Sequence, residues 1–417
     1  MRVFLTTLGC RVNQAELDSF AQELIAAGHI PVSSPDAADV CVINTCAVTT
    51  ESERKSRQRI RWMKRSNGDA RMLVTGCYAT LAPTSIRDIA IDLECVPNTE
   101  KPQLLGYLPQ PDVVAEMCPT TYRGRTRAFV KVQDGCDNHC TYCITRIARG
   151  KSKSHTVREV INEVQNLVEK EYNEVILCGI DLGSYRDPGS GAKLTQLLSE
   201  LIAQTPIERI RLSSLEPWSV TPDLLDMFTH ERVCPSLHLP LQSGSKRILE
   251  RMARKTSPEE YTELAIHAKS TIPDLSLSTD LITGFPDETD QDHSDTVDLV
   301  KRVGFSHIHV FPFSPRPGTA AANYPNRVEN TLIRKRSSQL REIGKQQSEF
   351  FAETYLHQTL EILWESPTVI EDKCYWKGHS KNNILCLLRS DDDMRNRVTP
   401  AMAHKRKGSS LVVQLVS

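Results

Sequence analysis

Cys136, Cys140 and Cys143 are spaced four and then three residues apart within Gly135-Cys136-Asp137-Asn138-His139-Cys140-Thr141-Tyr142-Cys143. One tight loop of this length can present three thiolates to a single [4Fe-4S] cluster, because iron in such clusters is soft and favours sulfur ligands. The fourth iron then has no protein ligand and is open to a substrate. Zinc is the competing occupant, since cysteines at short spacing also bind it. A structural zinc takes four ligands, however, and His139 would reach the fourth position only with awkward geometry inside so short a loop.

A second set of thiols recurs at the ends of apolar runs. Arg2 to Leu8 reads as a buried strand ending before Gly9-Cys10, Val40 to Asn44 as one ending before Thr45-Cys46, and Met72 to Thr75 as one closing on Gly76-Cys77. A helix through Glu16, Leu17, Phe20 and Leu24 follows the first. This alternation predicts a small α/β domain with a parallel sheet, whose functional loops lie beyond the carboxyl ends of the strands. Cys10, Cys46 and Cys77 all fall on that rim, where they read as buried apolar residues or as ligands of a second cluster. Cys41, between Val40 and Val42, reads as core, whereas Cys95, Cys118, Cys178, Cys234, Cys374 and Cys386 look isolated, as free thiols.

The 417 residues exceed one ordinary core and predict two or three domains. Thirteen cysteines, an odd number spread through a long chain, do not fit a secreted disulfide framework. Thr6-Thr7 interrupts any signal-peptide core after Met1-Arg2, and no run nears the roughly 18 apolar residues of a membrane span. The expectation is a soluble, cytoplasmic, oxygen-sensitive protein with no membrane partner. A formal charge of -1 excludes a uniformly basic surface, so a nucleic-acid partner has to be met by local patches.

Leu104 to Arg127, with Pro109, Pro111 and Pro119, reads as a connector. Ala128 to Val132 then reads as the strand that delivers the three-cysteine loop. Helices are expected over Thr156 to Glu171 and Lys193 to Ile202, and strands at Glu174–Leu177, Ile210–Leu212, Ser236–Leu239, Ser276–Thr279 and His307–Val310. Six β/α units fit about 220 residues, short of the about 250 typical of a closed eight-unit barrel, so a partial, open (β/α)6 barrel is expected. Polar residues stand at its strand ends: Ser213, Ser214 and Glu216, then His238 and Gln242, then Asp280 and Gly284 in a strand-end loop. They are candidates to line a cofactor and substrate cavity or to support it from behind.

The three-cysteine loop with Tyr142 resembles the signature of the radical S-adenosylmethionine superfamily. The resemblance implies that the open iron chelates the methionine amino and carboxylate groups of S-adenosyl-L-methionine, and that an electron from the cluster cleaves this cofactor to a 5'-deoxyadenosyl radical. Gly9-Cys10-Arg11-Val12-Asn13-Gln14-Ala15-Glu16, Asn44-Thr45-Cys46-Ala47-Val48-Thr49 and Gly76-Cys77-Tyr78-Ala79 resemble the three amino-terminal motifs of the tRNA methylthiotransferases. With the central loop, the likeness spans almost the whole chain. It implies two [4Fe-4S] clusters, the radical-generating one on Cys136, Cys140 and Cys143 and an auxiliary one on Cys10, Cys46 and Cys77.

The form around Arg11-Val12 is similar to the branch of that family whose substrate is tRNA carrying N6-threonylcarbamoyladenosine beside the anticodon. The implied reaction adds a methylthio group at C2 of that adenosine, and it demands an electron donor and a sulfur donor whose identities stay open. Gly179-Ile180-Asp181 resembles the family's turn near the adenosine moiety of the cofactor, and Phe311-Pro312-Phe313-Ser314 its final barrel motif. Arg149 matches the family's arginine and is expected at the cofactor, with Arg251 as a further guanidinium for a carboxylate. Arg146 stands where relatives carry proline, which removes a backbone constraint and adds a cation beside the loop.

Thr49 or Thr50 is expected to cap a helix over Glu51 to Arg65, with Glu51 and Glu53 near its positive end. Its basic run reads as a solvated face or as an RNA phosphate contact through Arg57, Arg61 and Lys64, with Trp62 packed on the domain. In the tail, Thr359–Leu363, Asn383–Leu388 and Leu411–Leu415 read as strands separated by charged turns. Their spacing resembles a small TRAM-type β-barrel, an RNA-binding module, with Tyr375-Trp376-Lys377 and His404-Lys405-Arg406-Lys407 as candidate contacts. The expected class is therefore α/β: an auxiliary-cluster domain with connector over 1–117, a radical domain over 118–350 and a TRAM-like barrel over 351–417. Methylthiolation of isopentenyladenosine tRNA or of a ribosomal-protein side chain, and a noncatalytic RNA-binding iron-sulfur protein, are the competing functions. Oligomeric state is open.

Overall fold

The computed structural model describes residues 1–109 and 125–416. Its first unit follows the expected alternation: β1 (Arg2–Thr7), α1 (Arg11–Ala26), β2 (Ile30–Val32), β3 (Val40–Thr45), α2 (Thr50–Ser66), β4 (Arg71–Gly76), α3 (Cys77–Leu81), α4 (Pro83–Arg87) and β5 (Glu94–Val96). The strands form one parallel sheet in the order β2-β1-β3-β4-β5. Every residue of β3 is buried, as a central strand covered on both faces requires. Phe20, Leu24, Val42 and Leu73 fill one side; Cys41, Ile43, Ile60, Met63 and Val74 fill the other. The edge strands β2 and β5 have three residues each, too few to show a periodicity. The start of the expected connector is instead a 3-10 helix, Lys101–Tyr107, which plants Leu104 in the sheet core. Pro111, Pro119, Cys118 and the 117/118 boundary lie outside the described residues.

The central unit runs β6 (Arg127–Lys131), β7 (Gln133–Asp134), α5 (Thr145–Arg149), β8 (Lys153–Ser154), α6 (Val157–Glu169), β9 (Glu174–Cys178), α7 (Leu194–Gln204), β10 (Arg209–Leu212) and α8 (Pro222–Met227). It continues with β11 (Ser236–His238), α9 (Lys246–Arg251), α10 (Pro258–Thr271), β12 (Ser276–Thr283), α11 (Asp290–Val303), β13 (His307–Pro312) and α12 (Asn330–Glu353). Two three-stranded parallel sheets, β10-β9-β6 and β11-β12-β13, are joined where Ile210 pairs with Val233 and Cys234 N donates to Ile210 O at 2.8 Å. Alternate residues divide the faces. Val130, Leu177, Ile210, Leu237, Leu277 and Ile308 belong to the core shared with the helices, whereas their neighbours in sequence, including Ile176, Arg211, His238 and His309, lie on the opposite, lumen face. Helix α1 reaches across from the first unit, seating Val12 against Ile176 and Cys178. Asp280 lies inside β12 rather than in a loop beyond it, because the strand continues to Thr283.

The tail is a closed barrel of β14 (Thr359–Ile370), β15 (Lys373–Ser380), β16 (Leu385–Leu388), β17 (Val398–Lys407) and β18 (Ser410–Leu415), ordered β14-β15-β16-β18-β17 around the fully buried Trp364. Strands β15 and β17 fall on the two stretches read above as RNA contacts; their charges stand on one face of a strand whose other face is core. Helix α12 carries the chain across residues 350–351 into this barrel. The barrel sits beneath the central strands, where buried Arg209 donates to Glu361 O at 3.0 Å and buried Arg211 to Lys381 O at 2.9 Å. Glu174, fully buried, receives Arg211 Nε at 2.7 Å. Among the described residues no helix is long and apolar enough to cross a membrane.

Candidate active site at the meeting of two cysteine triads

Parallel strands deliver both sets of thiols. Cys10 precedes the first residue of α1, Cys46 follows β3 and Cys77 opens α3, and the pairing Thr45 with Gly76 keeps the last two loops in step. Side-chain amides strap the rim together: Asn13 Nδ2 donates to Leu8 O at 2.8 Å and to Thr45 O at 3.1 Å. Ser56, buried on α2, accepts from Cys46 N at 3.3 Å and donates to Cys46 O at 3.0 Å. Gly9 has φ +103°, and a Cβ there would stand 2.6 Å from Cys46 Cβ, so only glycine lets these two loops approach. Cys46 and Cys77 are buried, and Cys10 faces the cleft. Burial, with the other two thiols of the set, raises the pKa of Cys10, and burial likewise raises Cys46.

The second triad hangs on the loop after β6. Cys136 N donates to Gly150 O at 3.1 Å and Cys143 N to Cys140 O at 3.1 Å, folding the loop back on itself. Cys136 Sγ accepts from Asn138 N and Nδ2, each at 3.4 Å, and burial pushes its thiol up to about 11. Asn138 Nδ2 also donates to Asp181 Oδ2 at 2.8 Å. The other oxygen, Asp181 Oδ1, is buried with no hydrogen-bond partner among the described residues, and burial raises this carboxyl to about 6. Gly179 lies beside it, its N–H donating to Ser213 Oγ at 3.3 Å.

Where the two cysteine-bearing loops meet lies an open cavity of about 200 Å³. Val48 and Thr49, just past Cys46, line one side; Tyr142, Cys143 and Ile144 line the other; Gln242, Asp280, Ile282 and Phe311 to Ser314 complete it. Gln242 is held at φ +75° with its N–H donating to Asp280 O at 2.8 Å. His238 Nε2 lies 3.3 Å from Asp280 Oδ2 and its Nδ1 2.9 Å from Ser278 Oγ. Ser214 is half-buried just past β10. Ion pairs and hydrogen bonds lock the two sides together: Arg316 to Glu53, Ser314 Oγ to Thr50 N at 2.9 Å, and Asn98 Nδ2 to Ala148 O at 2.8 Å, with Cys77 Sγ 3.8 Å from the same amide.

The thiols suit iron-sulfur groups rather than a lone ion. Among the described residues, the group of His, Cys, Asp or Glu ligand atoms lying within 4.8 Å of one another is His238, Asp280 and His309; neither cysteine triad is drawn in to single-ion spacing. Six soft donors in two sets of three, one set reaching the cavity through Cys143 and the other followed in its loop by the lining residues Val48 and Thr49, match the donor chemistry of clusters.

Several residues are engaged differently from the sequence expectation. Arg149 is turned away from a cofactor role by partners: its Nη1 lies 2.9 Å from Glu16 and 2.8 Å from Asp134, and Nη2 reaches Asn13. Glu216 is paired with Arg254 at 2.7 Å. Arg146 contacts the His139 ring, and Arg251 lies over Tyr324. On the basic helix, Thr49 is the cap in a reciprocal box with Ser52; Arg57 bonds Tyr78 and Lys64 pairs with Asp92, leaving Arg61 without an ion pair among the described residues. Trp62 packs edge-on to Phe4. In the tail, Arg406 and Lys407 pair with Glu349 and Glu371, while Lys405 is exposed and unpaired.

Sequence reasoning missed Arg254, which is buried, stacks on Trp218 at 4.5 Å and places Nη1 3.9 Å from Cys140 Sγ. It also missed Asn98 and Asn138. The only signal for Asn98 was its place just past a strand too short to recognise.

The comparisons agree with this architecture. Residues 130–300 match the model of the radical SAM superfamily, and residues 2–97 that of the uncharacterized protein family UPF0004. The threonylcarbamoyladenosine tRNA methylthiotransferase MtaB of Chlamydia pneumoniae is 38% identical over 368 residues, 87% of each chain. The protein of the same name from Bacillus subtilis is 34% identical over 412 residues, 94% of this chain and 91% of its own. A tRNA-2-methylthio-N(6)-dimethylallyladenosine synthase from Moorella thermoacetica is 32% identical over 94% of both chains. Among solved structures, the radical S-adenosylmethionine methyltransferase TsrM from Kitasatospora setae superposes with a TM-score of 0.54 at 13% identity, over 77% of this chain and 75% of its own, a likeness of fold. By these relatives the chain is an enzyme that belongs to the radical S-adenosylmethionine tRNA methylthiotransferases, in their MtaB branch.

Proposed function

We propose that this enzyme methylthiolates C2 of N6-threonylcarbamoyladenosine beside the anticodon of tRNA, giving 2-methylthio-N6-threonylcarbamoyladenosine. The observation that carries the reading is that one cavity is walled by Cys143 of the central loop and by Val48-Thr49 of the loop that carries Cys46, so the two cysteine-bearing loops meet there. Cys136, Cys140 and Cys143 would hold one [4Fe-4S] cluster, and Cys10, Cys46 and Cys77 a second. When bound, the first group with one molecule of S-adenosylmethionine would supply a 5'-deoxyadenosyl radical that takes the hydrogen from C2, and the second would supply sulfur whose methyl group comes from another molecule of that cofactor.

The chain's own residues orient and shield these events. Asp181 Oδ1, buried and unpartnered, is an acceptor for a donor group of the cofactor, with Gly179 letting the backbone approach it closely. Tyr142 and Phe311 give the cavity apolar walls that exclude water, and Gln242 offers an amide at its edge. Burial raises the Cys140 thiol, and Arg254 places a positive charge beside it that opposes the rise. Holding the two cysteine-bearing loops against one cavity converts separate encounters into positioned steps.

Residues 1–117, 118–350 and 351–417 then act as auxiliary-cluster domain, radical domain arranged as a partial (β/α)6 barrel, and TRAM-like barrel. Arg61 and Lys405 are the basic positions left free for tRNA phosphates. An electron donor and a sulfur donor complete the reaction.

Anaerobic incubation of reconstituted enzyme with S-adenosylmethionine, reductant, sulfide and tRNA bearing threonylcarbamoyladenosine, followed by nucleoside mass analysis, tests the reading. A methylthio increment on that nucleoside is expected. Modification of isopentenyladenosine alone would overturn the substrate assignment. Cys140→Ala should abolish deoxyadenosine formation, while Cys46→Ala should retain it and lose the methylthio product.

A further inference from the structure

The lumen layer next to the cavity is polar, although nothing in radical formation requires it to be. His238, Asp280 and His309, on β11, β12 and β13, bring ligand atoms within 4.8 Å of one another. The rings of His238 and His309 lie 5.8 Å apart, and His307 meets His309 edge-on at 4.4 Å. Asp280 also lines the cavity that holds Cys143, so the cluster of polar groups is continuous with the reaction space.

Arg11 comes to this layer from the other unit. It is the first residue of α1, and its neighbour Val12 is seated on Ile176 and Cys178 inside the lumen. Arg11 is exposed as a residue and makes no hydrogen bond or ion pair among the described residues. Burial and His307, with smaller contributions from His238 and Arg11, hold the His309 imidazole down at about 4 against the opposing charge of Asp280. A guanidinium, two imidazoles and a carboxylate form a site for a small group bearing an anion and hydroxyl or N–H functions.

We infer that Arg11, His238, Asp280 and His309 form the subsite for the N6 substituent of the substrate adenosine, with Arg11 binding its carboxylate. The inference rests on the substrate reading above and deepens it. A threonylcarbamoyl group carries one carboxylate, one hydroxyl and urea-type N–H groups, which Arg11, the imidazoles and Asp280 can pair. A dimethylallyl group carries none of these and would bury apolar surface against unpaired polar groups, which is costly. Discrimination between the two substrates is thereby built into one layer of side chains contributed by two units of the chain.

The test uses the reconstituted full-length enzyme and anticodon stem-loops carrying threonylcarbamoyladenosine or its carboxyl methyl ester. Wild-type kcat/KM should fall by about 10²-fold on the ester, which removes the negative charge that Arg11 pairs with. Arg11→Met should lose most of its activity on the acid yet treat acid and ester alike, and Arg11→Lys should restore part of the preference. Iron content and deoxyadenosine release without RNA, measured on each variant, separate this from a failure to assemble. Equal wild-type rates on acid and ester would overturn the inference and leave the substrate reading intact, whereas no product from the acid would overturn the substrate reading itself. Stoichiometric binding of Zn²⁺ lost in His309→Phe, with the ester preference unchanged in Arg11→Met, would assign the layer to a metal and overturn the inference equally.

Discussion

Arg149 Nη1 lies 2.9 Å from Glu16 Oε1, and both side chains are almost inaccessible to water, at 1% and 6%. Arg149 ends the helix after the radical-loop cysteines, and Glu16 lies in the helix that starts at Cys10 plus one, so the pair joins the two triads mechanically. Lys101 at 2.6 Å and Lys131 at 3.2 Å complete the shell around Glu16 and hold its carboxyl well below the usual carboxylate range. Removing one member of a buried ion pair strands the others, at a cost of about 3–5 kcal/mol. Glu16→Gln should therefore lower stability by about that amount, read by anaerobic denaturant unfolding, and loosen both cluster sites in iron analysis. An unchanged midpoint would show that the cations find water instead.

Gly9 is tested by a single methyl group. Its φ of +103° and the Cβ contacts of 2.6 and 2.8 Å to Cys46 mean that Gly9→Ala must push Cys46 aside. The expected outcome is loss of about half the bound iron, with S-adenosylmethionine cleavage retained, because Cys136, Cys140 and Cys143 are remote from the clash. Full iron content would contradict the packing described above.

Arg211 anchors the tail barrel. It is buried, pairs with Glu174 at 2.7 Å and donates to Lys381 O at 2.9 Å. Arg211→Met removes the hydrogen-bonded partner of buried Glu174 and leaves it only Arg209 at 3.8 Å, so a loss approaching about 3–5 kcal/mol is expected. Limited proteolysis should then release a fragment near residue 354, where α12 ends, whereas wild-type enzyme should resist cleavage there.

Glu163 gives a pH signature. It shares a cleft with Asp18, and burial raises Glu163 from 4.5 to about 7 and Asp18 from 3.8 to about 6, against the opposing charges of Lys131 and Arg125. Both folded-state values exceed the unfolded ones, so the folded state binds more protons between about pH 4 and 7. Their contribution is full below about pH 4 and is lost as pH rises through 7. Glu163→Gln should thus raise Tm by about 1–3 °C at pH 8 relative to wild type, with the difference shrinking as pH falls and vanishing below about pH 4. A difference that grew toward low pH would refute the assignment.

Much of the site was legible in the chain because its chemistry is local. Cys136, Cys140 and Cys143 share one loop, and Cys10, Cys46 and Cys77 each follow a run of β-branched residues, so strand periodicity alone put them on one rim. Strands β15 and β17 were not legible, because mixed charge and aromatic character over Lys373–Ser380 and Val398–Lys407 resembles a binding surface as much as a half-buried strand.

What the amino-acid order determined by itself is the inventory: which thiols end which strands, where α1 and α2 begin, and that the central strands alternate between two faces. Tertiary structure alone decided the pairing of charges. Arginines are almost never fully buried unless paired, so the burial of Arg149, Arg209, Arg211 and Arg254 is accounted for only when Glu16, Glu174 and Glu216, far away in the chain, are seen to neutralise them. The same long-range docking leaves Arg11 unpaired in the lumen. No local pattern encodes that difference, because it depends on which distant carboxylate the fold brings within reach.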